Sequence, residues 1–199
     1  MRIAILGGSF DPPHVGHQLI ARQVKETIGV DDIWLMPADN HPFAKSLLPV
    51  QHRLQMARFL ENEYIRVSDF EIKYNKSSYT IDTLEKLDQD YPQDIFYWIL
   101  GSDQLDSFTK YKGWEQLRDD HNLIVFPRET VIDHLEEKTK KCLQLDSIPD
   151  NITLLRDKDL ILTNISSSLV RERIKRDESL EYIVPKQVEE YIKQHSLYT

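Results

Sequence analysis

Short hydrophobic blocks recur along the chain, each bounded by Gly, Pro, Asp or Asn. Blocks of this length, rich in aliphatic and aromatic residues, are typical of buried β-strands. The block "DIFYWILG", which stops at Gly101, is the predicted central strand. We predict strands over 2–6, 32–36, 64–68, 94–101, 122–126 and 152–155.

Longer segments between these blocks carry apolar residues three or four positions apart, the spacing of one helix face. In the segment 78–91, for example, Ile81, Leu84 and Leu87 share such a face. The first helix is expected to end at Gly29, and Pro185 suits the first turn of the last one. We predict helices over 15–28, 50–61, 78–91, 130–143, 167–177 and 185–195.

Strands that alternate with helices predict an α/β protein whose parallel sheet is covered on both faces. No internal repeat or linker divides the chain, so we predict a single domain over 1–199. Ligands of open parallel sheets bind beyond the carboxyl ends of the strands. This rule brings together residues 7–17, residues 101–103 and the helix that begins near Ser166.

Composition narrows the class of protein. Hydrophobic residues make up 40% of the 199 positions, and no apolar run reaches the length of a membrane span. The first residues lack the pattern of a secretory signal, and Cys142 as the single cysteine excludes an intrachain disulfide framework. We therefore expect a cytoplasmic protein without a membrane partner.

The charge balance bears on the ligand. A net charge of −8 argues against general nucleic-acid binding. An anionic substrate would need a local cluster of positive charge to overcome this global field.

The first candidate site is the string "GGSFDPPHVGH", which directly follows a predicted strand. Gly7 and Gly8 allow a sharp turn and a close backbone approach to a ligand. The string matches neither a P-loop nor the glycine fingerprint of dinucleotide-binding folds. His14 and His17, three apart, can face one spot. Gly16 costs the helix about 0.5–1 kcal/mol, which close approach of a ligand would explain.

Two other interpretations of the histidine pair remain open from the residues alone. The histidines could be ordinary surface residues of a helix. They could also bind zinc, but a zinc site needs a further ligand, and Cys142 belongs to a distant helix.

The second candidate site is "NISSSLVRERIKRD" near the C-terminus. Its serines offer helix caps and free backbone N–H groups. Arg171 and Arg173 follow near the positive end of the helix dipole, where cations are disfavoured unless an anion is bound. The alternative is a plain serine cap followed by two solvated arginines.

Together the two strings resemble the nucleotidylyltransferase superfamily, which carries His-x-Gly-His early and Ile-Ser-Ser-x-x-x-Arg late. The matching residues here are 14–17 and 165–171. Within it, the chain is similar nearly end to end to the bacterial nicotinate-nucleotide adenylyltransferases. Further matches are "SSYTIDTL", "ILGSDQL" and the tail from "ISSSLVRERI" to "QHSLY".

This resemblance implies a Rossmann-like, doubly wound, mainly parallel sheet with helices on both faces. It implies an enzyme that makes nicotinate adenine dinucleotide and pyrophosphate from ATP and nicotinate mononucleotide. Magnesium would be held mainly by the ATP phosphates, with no protein side chain assigned to the metal. The C-terminal helical part, about 165–199, would complete the ATP site.

The resemblance also assigns roles residue by residue. The catalytic set is His14, His17, Lys45 and Arg171. Expected ATP contacts are Gly7, Gly8, Ser9, Phe10, Gly16, Gly101, Asp103, Ile165, Ser166, Ser167 and Arg171. Expected contacts to the nicotinate nucleotide are Ser9, Lys45, Tyr79, Thr80, Tyr111 and Trp114.

Some positions depart from the family pattern. Ser9 stands where threonine is usual, and Tyr111-Lys112 stands where an aromatic pair beginning with Trp is frequent. Phe126-Pro127-Arg128-Glu129 replaces an Arg-Arg-Pro-Gly string. These changes lie around base recognition, so they bear on the choice between nicotinate and nicotinamide.

Other functions remain possible for a sequence with these motifs. The nearest are nicotinamide-mononucleotide and phosphopantetheine adenylyltransferases, and a non-catalytic nucleotide sensor is a third. Class I aminoacyl-tRNA synthetases share His-x-Gly-His but are much longer and have a Lys-rich second motif that is absent here. The missing glycine fingerprint disfavours a dehydrogenase. The sequence leaves a homo-oligomer open.

Overall fold

A computed structural model describes residues 1–39, 47–74, 79–128, 134–157 and 159–199 of the chain. Its described strands form one six-stranded parallel sheet in the order β3-β2-β1-β4-β5-β6. This is the doubly wound order of Rossmann-like folds. Strands are added on one side of β1 up to β3 and on its other side from β4 to β6, so the topological switch point lies between β1 and β4. The strands are β1 (Arg2–Gly8), β2 (Asp32–Pro37), β3 (Ile65–Val67), β4 (Ile95–Gly101), β5 (Asn122–Phe126) and β6 (Ile152–Leu154).

Helices connect the strands and cover the sheet. A 3₁₀ helix over Leu105–Lys110 follows β4. The α-helices are α1 (Val15–Ile28), α2 (Val50–Arg58), α3 (Phe70–Tyr74), α4 (Thr80–Asp90), α5 (Trp114–Asp120), α6 (Leu135–Leu143), α7 (Ser167–Lys175) and α8 (Lys186–Gln194).

The sheet separates two hydrophobic clusters, because successive side chains of a strand point to opposite faces. On β1, Ala4 and Leu6 belong to one cluster, together with buried residues of α1, α2, α7 and α8. Ile3 and Ile5 belong to the other, with buried residues of α4, α5 and α6. Both faces are therefore covered, which confirms the predicted fold class.

All six predicted strands are present, with bounds that differ by no more than two residues at either end. The second helix is shorter than predicted, since it ends at Arg58 rather than at 61. Part of the predicted helix 130–143 and the first residue of 78–91 lie outside the described residues. Two α-helices, α3 and α5, and the 3₁₀ helix were not predicted, because five to seven residues are too few to show a helical repeat. Within the described part of the chain, no helix is long and apolar enough to cross a bilayer.

Candidate functional site

The two sequence motifs meet at the carboxyl end of β1. The Ser167 hydroxyl, at the start of α7, donates to the Pro12 carbonyl over 2.8 Å. One Nη group of Arg171 donates to the Asp11 carbonyl over 2.5 Å. These bonds join segments more than 150 residues apart, so the loop 9–14 and the first turns of α7 form one surface.

The two histidines lie at the start of α1, where His14 is the N-cap residue. Their rings stack with centroids 3.8 Å apart, and the His17 ring also lies 4.7 Å from that of Phe10. The His14 backbone N–H donates to Nδ1 of His17 over 3.1 Å. Because Nδ1 accepts this bond, the ring proton of a neutral His17 lies on Nε2, which is left as a donor.

Burial and charge keep this pair neutral. His14 is only 3% exposed, and burial together with the positive charge of Arg128 lowers its pKa to about 4. The pKa of His17 is also lowered, first by burial and then by His14 and Arg128. Nδ1 of His14 is buried and has no hydrogen-bond partner among the described residues. A buried polar atom without a partner is rare in a folded protein and calls for a specific explanation, such as a catalytic role or a bound water or ion.

Two glycines of the first motif make room for neighbouring side chains. A Cβ atom on Gly16 would lie 2.9 Å from Nδ1 of His14, so the glycine makes room for that imidazole. A Cβ atom on Gly7 would lie 2.4 Å from the Trp98 ring, which packs against β1. The structure thus adds a packing reason for Gly16, while the close approach of a ligand to this glycine stays a prediction.

The rest of the first loop is well packed. Phe10 adopts a left-handed backbone conformation, with φ of 48°, and its ring is buried. A Cβ atom on Gly8 would only make ordinary contact with that ring. The Ser9 carbonyl accepts a bond from Arg53. The ligand contacts expected of Gly8, Ser9 and Phe10 stay predictions.

Residues of the second motif have two roles: some cap α7, and others contact the loop of the first motif. Ser166 caps α7, since its hydroxyl accepts a bond from the Leu169 N–H over 3.2 Å. The carbonyl of Ile165 faces α1, 3.5 Å from the position of a Cβ on Gly16. The second Nη of Arg171 donates to the Ser168 hydroxyl. Two of the five guanidinium N–H donors of Arg171 are thus used within the protein.

Arg173 does not share this position, so the expectation that it gathers with Arg171 at an anion was wrong. Its guanidinium pairs with Glu178 over 3.0 Å and donates to the Ser179 carbonyl. Residues two apart on a helix point in different directions, which separates Arg173 from Arg171.

The carboxyl end of β4 brings the third predicted stretch to the site. The Ser102 hydroxyl accepts a bond from the Arg128 backbone N–H over 2.9 Å. A Cβ on Gly101 would clash with the Asp103 carboxylate and press on the Arg128 side chain at 3.1 Å. Asp103 is exposed at this edge. Arg128 thereby links residues 101–103 to the histidine pair, whose pKa values it lowers.

The predicted pyridine contacts form a neighbouring surface. Tyr79 is the N-cap residue of α4. Lys112 pairs with Asp82 of that helix, and its Nζ lies 5.3 Å from the centroid of the Tyr79 ring. Tyr111 stacks on Phe108 with centroids 5.4 Å apart. Burial, and then the charge of Asp103, raise the pKa of Tyr111. Thr80 and Trp114 begin α4 and α5.

Arg128 and Arg53 lie in this region and were not predicted as site residues. The predicted site residue Lys45 lies outside the described residues. Arg128 was noted only as a departure from a family string, and its position after β5 was the available signal. Arg53 is 1% exposed and hydrogen-bonds three backbone carbonyls. A buried arginine leaves no local pattern in the sequence, so nothing there marked it.

The arrangement suits an anion more than a metal. Neutral imidazoles, Arg171, Arg128 and the α7 N-terminus converge on the carboxyl end of the sheet, and each favours negative charge. Among the described residues no group of three or more His, Cys, Asp or Glu side chains could hold a metal ion.

Comparison with protein families agrees with this geometry. A model of the family described as cytidylyltransferase-like matches residues 5–173. The "Probable nicotinate-nucleotide adenylyltransferase" of Cytophaga hutchinsonii is 35% identical, and the match covers 100% of this chain and 99% of that protein. The protein of the same name from Shouchella clausii is 31% identical, with 99% and 96% covered.

A solved structure has the same fold. It is the Plasmodium falciparum nicotinic acid mononucleotide adenylyltransferase complexed with NaAD, with a TM-score of 0.80. The match covers 99% of this chain and 97% of that one at 22% identity.

Proposed function

Because the chain belongs to the cytidylyltransferase-like family, among relatives named nicotinate-nucleotide adenylyltransferase, we propose that it is an adenylyltransferase of NAD biosynthesis. It transfers the adenylyl group of ATP to nicotinate mononucleotide and releases pyrophosphate. The observation that supports this most directly is the junction of the two motifs, in which Ser167 and Arg171 bond to the loop that carries the histidines.

In this proposal the phosphate of nicotinate mononucleotide attacks the α-phosphorus of ATP. The new P–O bond forms as the bond from the α-phosphorus to the β,γ-pyrophosphate breaks in line. The attacking oxygen is already ionised, so no strong general base is required. Catalysis of such a step consists mainly of positioning and charge stabilisation.

The residues divide this task by their chemistry. The Nε2–H of His17 donates to a phosphate oxygen, and the His14 ring, stacked on that of His17, lies beside it. The remaining N–H donors of Arg171 form bidentate hydrogen bonds to the outer phosphates of ATP, which lysine cannot do. Arg128 adds positive charge beside the imidazoles, which the net charge of −8 makes necessary.

The magnesium ion expected with ATP would be held mainly by the ATP phosphate oxygens, because magnesium prefers oxygen ligands and keeps few protein ones. When bound, it neutralises charge on the phosphates and on the departing pyrophosphate. The Asp11 carboxylate accepts a bond from the Tyr198 hydroxyl, and in the part of the chain that the structure describes neither Asp11 nor Asp103 belongs to a cluster of potential metal ligands.

The test offers the protein ATP and magnesium with one acceptor at a time: nicotinate mononucleotide, nicotinamide mononucleotide or phosphopantetheine. Pyrophosphate release is measured for each. We expect turnover with nicotinate mononucleotide, and a loss of several orders of magnitude in His17→Ala without a change in melting temperature. Arg22→Ala, on an exposed face of α1, is the matched control.

Turnover with phosphopantetheine alone would assign a different adenylyltransferase. ATP binding without turnover on any acceptor would identify a nucleotide sensor. Near wild-type turnover in folded His17→Ala would refute the role of that histidine.

A further inference from the structure

Arg53 lies outside the set of residues that the motifs identify, yet it is among the most buried side chains of the chain. It belongs to α2 and is 1% exposed. Burial lowers the pKa of its guanidinium, an effect that Asp11 and Asp39 oppose. Burying a charge costs free energy, and an apolar residue of similar volume often stabilises a fold as well or better. Stability alone therefore does not account for an arginine here.

The partners of Arg53 are three backbone carbonyls on three different segments. Nη1 donates to Ser9 over 2.8 Å, in the loop after β1. Nη2 donates to Asp39 over 2.9 Å, just after β2, and Nε donates to Leu48 over 3.0 Å, just before α2. None of these acceptors is a side chain, so the guanidinium fixes backbone positions.

The three segments matter because of what they hold. Ser9 lies between β1 and the histidine pair, in the loop that Ser167 and Arg171 also contact at Pro12 and Asp11. Asp39 and Leu48 lie near the two ends of the connection between β2 and α2. A guanidinium holds its donors in one rigid plane, so bonds to all three carbonyls set the distance and angle between these backbones.

We propose that Arg53 is a positioning residue for adenylyl transfer, which fixes the Ser9 loop against both ends of the β2–α2 connection. This inference rests on the proposed function. Arg53 touches no reacting group in this role. Its effect is exerted through the loop that carries the phosphate-binding residues, where a displacement of about 1 Å can cost roughly a hundredfold in rate.

The test compares Arg53→Met, which keeps the volume and removes the donors, with Arg53→Lys, which keeps the charge and loses the planar fork. Arg58→Lys, on the exposed side of the same helix, is the matched control. Melting temperature, kcat per folded molecule and the calorimetric Kd for ATP are measured for each. We expect folded Arg53→Met to lose about tenfold to a hundredfold in kcat, Arg53→Lys to be intermediate, and Arg58→Lys to be unchanged.

A structural role alone would lower the melting temperature and leave kcat and the ATP Kd of the folded molecules unchanged, which would overturn the proposal. If Arg53→Met does not fold, Arg53→Lys decides by the same criterion, and failure of both to fold also overturns it. If wild type and Arg58→Lys bind ATP but turn over no acceptor, the proposed function has failed. The ATP Kd then decides: a rise of about tenfold in a folded variant supports positioning, and no rise refutes it.

Discussion

The neutral histidine pair is the central feature at the scale of single residues. Stacked rings 3.8 Å apart could not both be charged without strong repulsion, and burial already disfavours the charged form of each. A neutral imidazole still donates one hydrogen bond, and the His14 backbone N–H determines which nitrogen of His17 does so. In the proposed function, the pair thus offers hydrogen-bond donors to a phosphate without repulsion between two charged rings.

This neutrality links stability to pH. The pKa of His14 is about 4 in the folded chain and 6.5 for an ordinary histidine, so between these pH values the unfolded chain binds a proton that the folded chain does not. The free energy of unfolding must therefore fall as pH drops from 6.5 toward 4, by about 3 kcal/mol at about 1.4 kcal/mol per unit.

Urea unfolding between pH 4 and 7.5 measures this effect. We expect His14→Gln to flatten the slope in that window, whereas His134→Gln, at an exposed histidine, should keep it. Titration of the folded protein by NMR gives the direct comparison, and a His14 pKa near 6.5 would contradict the prediction.

Arg171 carries a second prediction at this scale. Two of its donors hold the Asp11 carbonyl and the Ser168 hydroxyl, and the others are free to meet ATP in the proposed function. Arg171→Lys keeps the charge but cannot serve both protein and phosphate, so kcat/KM for ATP should fall at least about tenfold. Arg176→Lys, on the exposed end of the same segment, is the control. Unchanged ATP kinetics would show that Arg171 only fastens the two loops together.

At the scale of elements, the junctions between strands and helices carry the chemistry, and their local sequence explains how much could be foreseen. Strand β4 was predictable because its hydrophobic run is uninterrupted, and α1 because of its periodic apolar face. The helix α5 was not, since seven residues hold too few turns to show a period. Arg53 could not be predicted, because its three acceptors come together only in the folded chain.

The neighbours of a glycine, like the partners of Arg53, come together only in the folded chain and cannot be predicted from the sequence. The sequence indicated that Gly16 needs space, and that much is right, but only the folded structure shows that the His14 ring fills it. Arg173 illustrates the reverse error. Its nearness to Arg171 in sequence suggested a shared role, and the helical repeat separates the two.

The start of α4 bears on the choice of substrate. Its first backbone N–H groups, near Tyr79 and Thr80, have no intrahelical acceptor and favour a carboxylate. An amide in that place would leave a buried donor unpaired, which costs roughly 1–3 kcal/mol. We therefore expect nicotinate mononucleotide to be preferred over nicotinamide mononucleotide by about tenfold to a hundredfold in kcat/KM.

The measurement is kcat/KM for each mononucleotide separately, at saturating ATP. Tyr111 can stack on either ring, so Tyr111→Phe should leave the ratio of the two kcat/KM values unchanged and serves as the control. A ratio near one, or one that favours the amide, would show that α4 does not select the base.

At the scale of the whole molecule, the C-terminal helices close on the N-terminal loop. The Tyr198 hydroxyl donates to the Asp11 carboxylate over 2.7 Å, and the Ile183 carbonyl accepts from the Val15 N–H over 2.9 Å. Asp11 is only 2% exposed, so this phenol replaces water that the carboxylate has lost. Burial, and then the bond to Asp11, raise the pKa of Tyr198, which keeps its proton on the oxygen.

Tyr198→Phe tests this closure. Removal of the hydroxyl leaves a buried carboxylate short of one donor, at a cost of about 1–3 kcal/mol, or several degrees in melting temperature for a chain of this size. The KM for ATP should rise as the Asp11 loop loosens. Tyr182→Phe, at a tyrosine that is 84% exposed, should change neither quantity. Equal melting temperatures for the two variants would show that the Tyr198 bond contributes nothing.

The bond between Tyr198 and Asp11 also has a consequence for the order of synthesis. A ribosome makes the histidine loop early and residue 198 some 187 positions later. A nascent chain that has passed β6 already has the six strands of the sheet and both histidines, but it lacks α7, α8 and the phenol that holds Asp11. One face of its sheet is still uncovered, because Val170 of α7 and Val188 and Ile192 of α8 belong to the hydrophobic cluster on that face. The domain therefore completes its fold only after these helices have been made. Its nucleotide site stays incomplete until translation has passed residue 198, which delays ATP binding until most of the sequence has been made.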